Sequence, residues 1–399
     1  MSWIISAAVE TAYKNTNSNL LCKTYMEDFI MQKKLLAIFL ASIMTMALFA
    51  GCGKKDPTPS DVTGPNDSNP VASAGAYDLS QVNDRVYVLA HSGSAGSTND
   101  FYGETFRDLV KEKSGGKMVI EVYNASQLGS DTSAAADVQA GAIDFQITSP
   151  AAIPNVVPEC AVFDMPFLFN DVESARKVLL DEEFFGAISA AFEANNLKLF
   201  PLNDQGFRSI TTNTEITGID SFKGMTLRTM NNKHHIAWWS ALGVACTPLN
   251  TSEIFLALQQ GMLSGQENPW SQAYDKGLYD VQKYITNSNH VLYVGCMYMG
   301  TTTWNALTDV ERQIIWDAAA EASPLVQKHT DTFENEMLDK LCNELGMTFV
   351  DFDQIPGLRQ QLHDMTFQVA YDSISGDIGT ELLNQFLTTA GYADEIPQK

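Results

Sequence analysis

Hydrophobic and polar positions follow two alternating rhythms from Arg85 onward. "RVYVLA" reads as a strand, and "STNDFYGETFRDLVKEKSGGK" behind it sets Tyr102, Phe106, Leu109 and Val110 on one helical face before Gly115-Gly116 stops it. "MVIEVY", "IDFQITS" and "LKLFPL" are further strand patterns, whereas "SDTSAAADVQAGA", "DVESARKVLL" and "EEFFGAISAAFEANN" are helical. "VFDMPFLF" is an apolar segment interrupted by Pro166. Past residue 206, "FRSITTN" and "GMTLRTM" are strand-like, and "KHHIAWWSALG" and "TSEIFLALQQG" are helices closed by Gly243 and Gly261. The last third is mostly helical. Thr308-Asp309-Val310-Glu311 forms a capping box ahead of "RQIIWDAAAEA", and a longer helical pattern follows over roughly 324–345. This β-α-β-α rhythm predicts an α/β fold of two lobes with right-handed crossovers and the carboxyl-terminal helices wrapped across both.

The amino end follows neither rhythm. In "MQKKLLAIFLASIMTMALFAGCGKK", residues 31–55, Lys33 and Lys34 precede an apolar run from Leu35 to Phe49 that is short for a bilayer span and suited to a signal peptide. The run ends on Ala50-Gly51-Cys52, which resembles the lipobox of bacterial lipoproteins and makes Cys52 the expected acylated terminus, with Phe49 a departure from the usual aliphatic residue. A signal begins a chain, so Met31 is the expected start, and residues 1–30 read as a mis-annotated extension. Residues 52–76, with Pro57, Pro59, Pro65 and Pro70 among Gly, Ser and Asp, read as a disordered tether. Anchor, leash and folded body together place the protein outside the cytoplasm, lipid-anchored to the cell membrane.

With 399 residues and 45% hydrophobic positions, the chain can bury one large or two ordinary cores. Its net charge of −23 argues against nucleic acid. It does not argue against a small anion, because screening hides distant charge beyond about 10 Å. No Gly-x-Ser-x-Gly, His-Glu-x-x-His or P-loop pattern occurs, and His234 and His235 are adjacent, so they diverge by about 100° on a helix and cannot share one metal. No metal or cofactor is expected. Cys160, Cys246, Cys296 and Cys342 show no close pairing and read as buried small hydrophobes, with a disulfide left open.

The positive signal is arginine in polar company. Arg208 follows Gly206-Phe207, and Arg228 closes the strand after Lys223-Gly224. Asn231, Asn232, Trp238 and Trp239 come directly after Arg228, and "GQENPW" sets Asn268 and Trp270 behind a glycine-ended helix. A guanidinium fork matches a carboxylate bidentately and keeps its charge when desolvated, and amides with flat apolar faces complete a small-anion pocket. A surface ion pair is the plainer alternative for either arginine. His235 and Trp239 share a helical face, and Trp239 fits a core position or a pocket wall equally.

Seven ordered pieces carry a resemblance: "SQLGSD", "QAGAIDFQITSPA", "FDMPFLF", "GFRSITTN", "FKGMTLRTM", "ALG…TPLNTSEIFLALQQGMLSGQENP" and "VQKYITNSNH". From about Arg85 to the carboxyl end the chain resembles the substrate-binding subunit of tripartite ATP-independent periplasmic (TRAP) transporters, the DctP-like family. The resemblance implies a two-lobed periplasmic-binding-protein fold. One lobe would comprise residues 77–205 plus about 294–330, the other 206–293 plus about 331–399. It further implies a receptor, not an enzyme, that closes on an organic acid such as a dicarboxylate or sugar acid and hands it to small and large membrane permease subunits. Arg228 would make the main salt bridge, with Arg208 and Asn268 in the same cleft and His91, Asn232, Trp239 and Trp270 as further ligand contacts. Ser264 stands where the family usually carries aspartate. A monomer is expected. The rival readings are a solute-binding lipoprotein of an ATP-driven importer and a lipid-anchored enzyme acting on a carboxylated substrate.

Overall fold

The computed structural model describes residues 77–397. The expected extension, signal, tether and Cys52 lie outside the described residues.

Eleven strands form one branched sheet among the described residues: β1 (Arg85–His91), β2 (Met118–Tyr123), β3 (Phe145–Thr148), β4 (Leu197–Leu199), β5 (Asn203–Thr212), β6 (Thr226–Thr229), β7 (Ala245–Pro248), β8 (Gly265–Asn268), β9 (Tyr284–Thr286), β10 (Val291–Gly300) and β11 (Thr348–Val350). Its main path runs β2-β1-β3-β10-β5-β8-β6-β7. Two parallel groups, β2-β1-β3 and β8-β6-β7, sit at opposite ends of that path and are the sheets of the two lobes. They are joined by β5 and β10, antiparallel to each other and to the groups they adjoin. The amino half of β5 pairs with β10 and its carboxyl half with β8 and β9, while the carboxyl half of β10 continues along β3 and β4. Two strands therefore belong to both lobes.

Glycine lets other groups crowd onto these shared strands. A Cβ on Gly295 would stand 2.3 Å from Asn203 Oδ1, and one on Gly206, whose φ is +81°, would stand 2.9 Å from the Glu334 side chain. β10 is buried along all ten residues and carries no polar alternation, which is why its pattern does not announce a strand.

Local signals set the helices. In α1 (Thr98–Lys113), Ser97 caps the first turn, Asp100 meets the positive end, Lys111 and Lys113 meet the negative end, and Tyr102, Phe106 and Val110 repeat every four residues into the core. α2 (Asp131–Ala140) is capped by Ser130 and α3 (Lys233–Ala241) by Asn232. The capping box at Thr308 and Glu311 opens α4 (Asp309–Asp339), a single helix that runs through Pro324 where the pattern suggested two pieces. α4 packs on α1 in one lobe and on β5 and the helix Trp270–Asp275 toward the other. α5 (Leu358–Ile378) packs on α3 and on the 3-10 segment Pro158–Asp164, so the last third does cross both halves. The four cysteines among the described residues are unpaired, Cys160 and Cys296 being buried. No described helix is long and apolar enough to cross a membrane.

Candidate functional site

The carboxyl ends of β1, β3, β6, β7 and β8 all open onto one cavity of about 290 Å³, where open α/β sheets bind their ligands. Ser92 follows β1, Thr148 ends β3 and Ser149 follows it, Ser130 to Thr132 open α2, Arg228 lies near the end of β6 with Asn231 just beyond it, Leu249 and Asn250 follow β7, and Asn268 ends β8. The shared strands add Arg208 from β5 and Tyr293 from β10. Both lobes thus wall the same space.

Arg228 is 2% exposed, and its Nε and Nη2 donate to one acceptor, the Leu249 carbonyl, at 3.0 and 2.6 Å. Among the described residues no carboxylate pairs with it. Burial pulls its pKa down to about 10, with Glu267 opposing and Arg208 adding to the fall. It stays charged at neutral pH. Strand pairing holds it rigidly: β6 lies between β7 and β8, and Ser264 ties the start of β8 to Thr226 through its hydroxyl.

Arg208 has the opposite surroundings. It is 1% exposed, Nε donates to Glu267 Oε2 at 2.5 Å, and Nη2 donates to Glu267 Oε1 at 2.9 Å, to the Glu267 carbonyl at 2.7 Å and to Asn268 Oδ1 at 3.1 Å. Its guanidinium also lies 5.6 Å from the Tyr293 ring centre. Burial pushes the Glu267 carboxyl up, but the Arg208 charge and the His290 hydrogen bond override it and hold the group well below the usual range. His290 Nε2 bonds the same carboxylate at 2.9 Å, and burial brings its own pKa down to about 4. Asn268 gives its amide to Gln266 Oε1 at 2.6 Å.

Of the residues expected at the site, Arg228, Arg208 and Asn268 converge on the cavity and four do not line it. Trp239 is fully buried against Phe222, Trp238 and His290, in the core. Asn232 is consumed by structure: Oδ1 accepts from the His234 and His235 amides, and Nδ2 donates to Ala151 O and Asp164 Oδ2. His91 is buried with Nε2 3.4 Å from Asp100 Oδ1, leaving its neighbour Ser92 on the wall. Trp270 donates its indole N–H to Thr286 O and lines a second cavity with Glu334. The residues not anticipated are the hydroxyl wall from Ser126 to Thr132, Ser149, the run Asn250 to Ser252, and Tyr293. The "SQLGSD" stretch, one of the pieces that carry the resemblance, holds the first of these, and Ser130 within it caps α2.

The sequence profile of the DctP family, bacterial extracellular solute-binding protein family 7, matches residues 89–366. The chain belongs to this family. A solute-binding protein of Verminephrobacter eiseniae is 30% identical over 281 residues, 70% of this chain and 81% of that one. The C4-dicarboxylate-binding periplasmic protein DctP of Rhodobacter capsulatus is 28% identical over 279 residues, 70% and 83% of the two chains. Among solved structures, the sugar acid binding protein DctPAm of Advenella mimigardefordensis in complex with galactonate superposes with a TM-score of 0.74 at 26% identity, covering 78% of this chain and 99% of that one. Members of the DctP family are solute receptors of TRAP transporters, and this chain carries their α/β fold.

Proposed function

We propose that this DctP-family receptor takes a small organic acid into the inter-lobe cavity, with Arg228 as the fork that grips its carboxylate, and delivers it to the small and large permease subunits of a TRAP transporter. The observation that carries the reading is the state of Arg228: buried, charged and without a carboxylate partner among the described residues. A desolvated guanidinium with only a carbonyl for company is costly, and a bidentate carboxylate removes most of that cost. Two of the three relatives named above fit: one is a C4-dicarboxylate-binding protein and another was solved with galactonate. Each of these ligands presents a carboxylate, and they differ in everything else.

Closure of two lobes hinged on β5 and β10 supplies the signal, since only a ligand touching both walls favours the closed form. The tripartite arrangement would hold the receptor near its permease through acylated Cys52, as a monomer. Cys52→Ser should then release it into the soluble fraction.

The function is tested by thermal unfolding of the purified protein against organic acids and the matching primary amides. Acids at a hundred times their Kd should stabilise by about 2.7 kcal/mol, a shift of a few degrees, and the amides should do nothing comparable. Equal shifts from acid and amide would remove the carboxylate fork from the mechanism.

A further inference from the structure

A second cavity, of about 170 Å³, lies where α4 packs on β5, and it shares no lining residue with the first. β5 contributes Asp204 and Phe207 to its wall, α4 contributes Asp331 and Glu334, and Trp270 opens the helix that follows β8. Gly206 lets α4 come this close, since a Cβ there would stand against the Glu334 side chain. The wall carries charge of one sign. Three carboxylates line it, and no described lysine, arginine or histidine does. Arg176, on the helix Val172–Leu179, serves two of them: it holds Asp204 through Nε at 2.6 Å and Nη2 at 3.1 Å, and Asp331 through Nη2 at 2.6 Å. Nothing comparable reaches Glu334. Its oxygens accept the Trp270 and Ser271 amides, and among the described residues no cation pairs with it. At 7% exposure, solvent does little to offset its charge. Burial raises its carboxyl to about 7, as expected of an acid held away from water without a counterion.

The apolar part of the wall has the matching chemistry. Phe207 and Trp270 are half-buried rings bordering the same space, and aromatic faces attract ammonium and guanidinium groups. Trp270 is fixed there, its indole N–H donated to Thr286 O at 2.8 Å and its ring in T-shaped contact with Phe349. We propose that this cavity is a second binding site, separate from the acid site, for a small alkylammonium or alkylguanidinium cation, with Glu334 as its counter-charge and Phe207 and Trp270 as its apolar walls. Phe207 directly precedes Arg208, and Trp270 follows Asn268 by two residues, so the cation rests against the two strands that carry those groups to the acid cavity.

Ligand-observed NMR titration of the purified protein in low-salt buffer tests this with ethylguanidinium against ethylurea and n-butylammonium against n-butanol. Each pair is alike in size and differs in charge. At least one cation should bind about ten times or more tighter than its neutral partner. Glu334→Gln, which keeps the shape of the side chain, should erase that advantage. Phe207→Leu, which leaves the carboxylate in place, should weaken the cation about threefold. Asp131→Asn removes the carboxylate that lines the first cavity and should leave cation binding as it was. Cations that bind no tighter than their neutral partners would overturn the proposal. So would a cation advantage that persists in Glu334→Gln, or one that Asp131→Asn removes.

Discussion

Arg208 and Arg228 border the same cavity from neighbouring parts of the sheet, and both are almost wholly buried, at 1% and 2% exposed. What separates them is the partner. Arg208 is held on both edges by Glu267, which is itself held by His290, so the trio is a neutral, hydrogen-bonded block joining β5, β8 and the start of β10. Arg228 has a carbonyl for a neighbour and keeps its charge uncompensated. A buried charge with a resident counterion is scaffold, and a buried charge without one is a binding site waiting for its ion.

The largest effect should come from breaking the scaffold. Glu267→Gln preserves shape but leaves Arg208 charged and unpaired in a fully buried place. Stability measured by urea unfolding should fall by about 3–5 kcal/mol. A loss under about 1 kcal/mol would show that Arg208 finds compensation elsewhere, and the contrast between the two arginines would dissolve. Arg228→Ala should act on the other side of the comparison. Binding of the acid should weaken by about 2–5 kcal/mol in calorimetry, with little loss of stability, because the removed charge was not serving the fold. Arg228→Lys should recover only part of the affinity, since a point charge cannot form the bidentate pair. Unchanged affinity in Arg228→Ala would remove the clamp.

This contrast was only half legible in the sequence. Arg228 on a strand end followed by amides and aromatics could be read directly, as could the α/β rhythm and the capping box at Thr308. The neutralisation of Arg208 could not, because Glu267 is 59 residues away and only the pairing of β5 with β8 brings it near. β10 escaped notice since an all-buried run has no alternation to detect, so the second shared strand, on which the two-lobed plan depends, was missing. Trp239 fits pocket and core alike on a helical wheel. Packing against Phe222 and His290 decides it, and those contacts are non-local. The hydroxyl wall was hidden because nothing in a sequence separates a serine or threonine that caps a helix from one that faces a ligand.

The same test can be put to an anion. Glu334, on α4, is 7% exposed and has no cation paired with it among the described residues. It accepts from the Trp270 amide at 2.9 Å and the Ser271 amide at 3.2 Å, just beyond Asn268, with Asp204 and Asp331 nearby and paired through Arg176. Burial raises its pKa from 4.5 to about 7, with the Ser271 side chain and the two amides opposing and Asp204 adding to the rise. A carboxyl raised on folding helps the fold while protonated. Its contribution is full below about pH 4.5 and is lost as pH rises through 7. Glu334→Gln cannot ionise, so its stability relative to the unaltered protein should grow across that window, by at most about 3 kcal/mol. Urea unfolding in a pH series would show it, and a difference flat from pH 4.5 to 8 would mean that Glu334 is not a buried acid of this kind.

The finest contrast lies between two adjacent asparagines. Asn231 is exposed and lines the cavity, while Asn232 is fully buried and spends its amide on the α3 cap, Ala151 and Asp164. Asn232→Ala removes the cap and leaves Asp164 with the His235 ring as its remaining side-chain partner, so stability should fall by about 1–2 kcal/mol. Its effect on ligand affinity should be smaller than that of Asn231→Ala, which should weaken binding about threefold and leave unfolding almost untouched, because an exposed amide has water to replace what it loses. Reversed outcomes, with Asn232→Ala costing affinity and Asn231→Ala costing stability, would mean that the ligand reaches past the end of β6 toward α3. The division between wall and scaffold drawn from the two arginines would then have to move one residue along the chain.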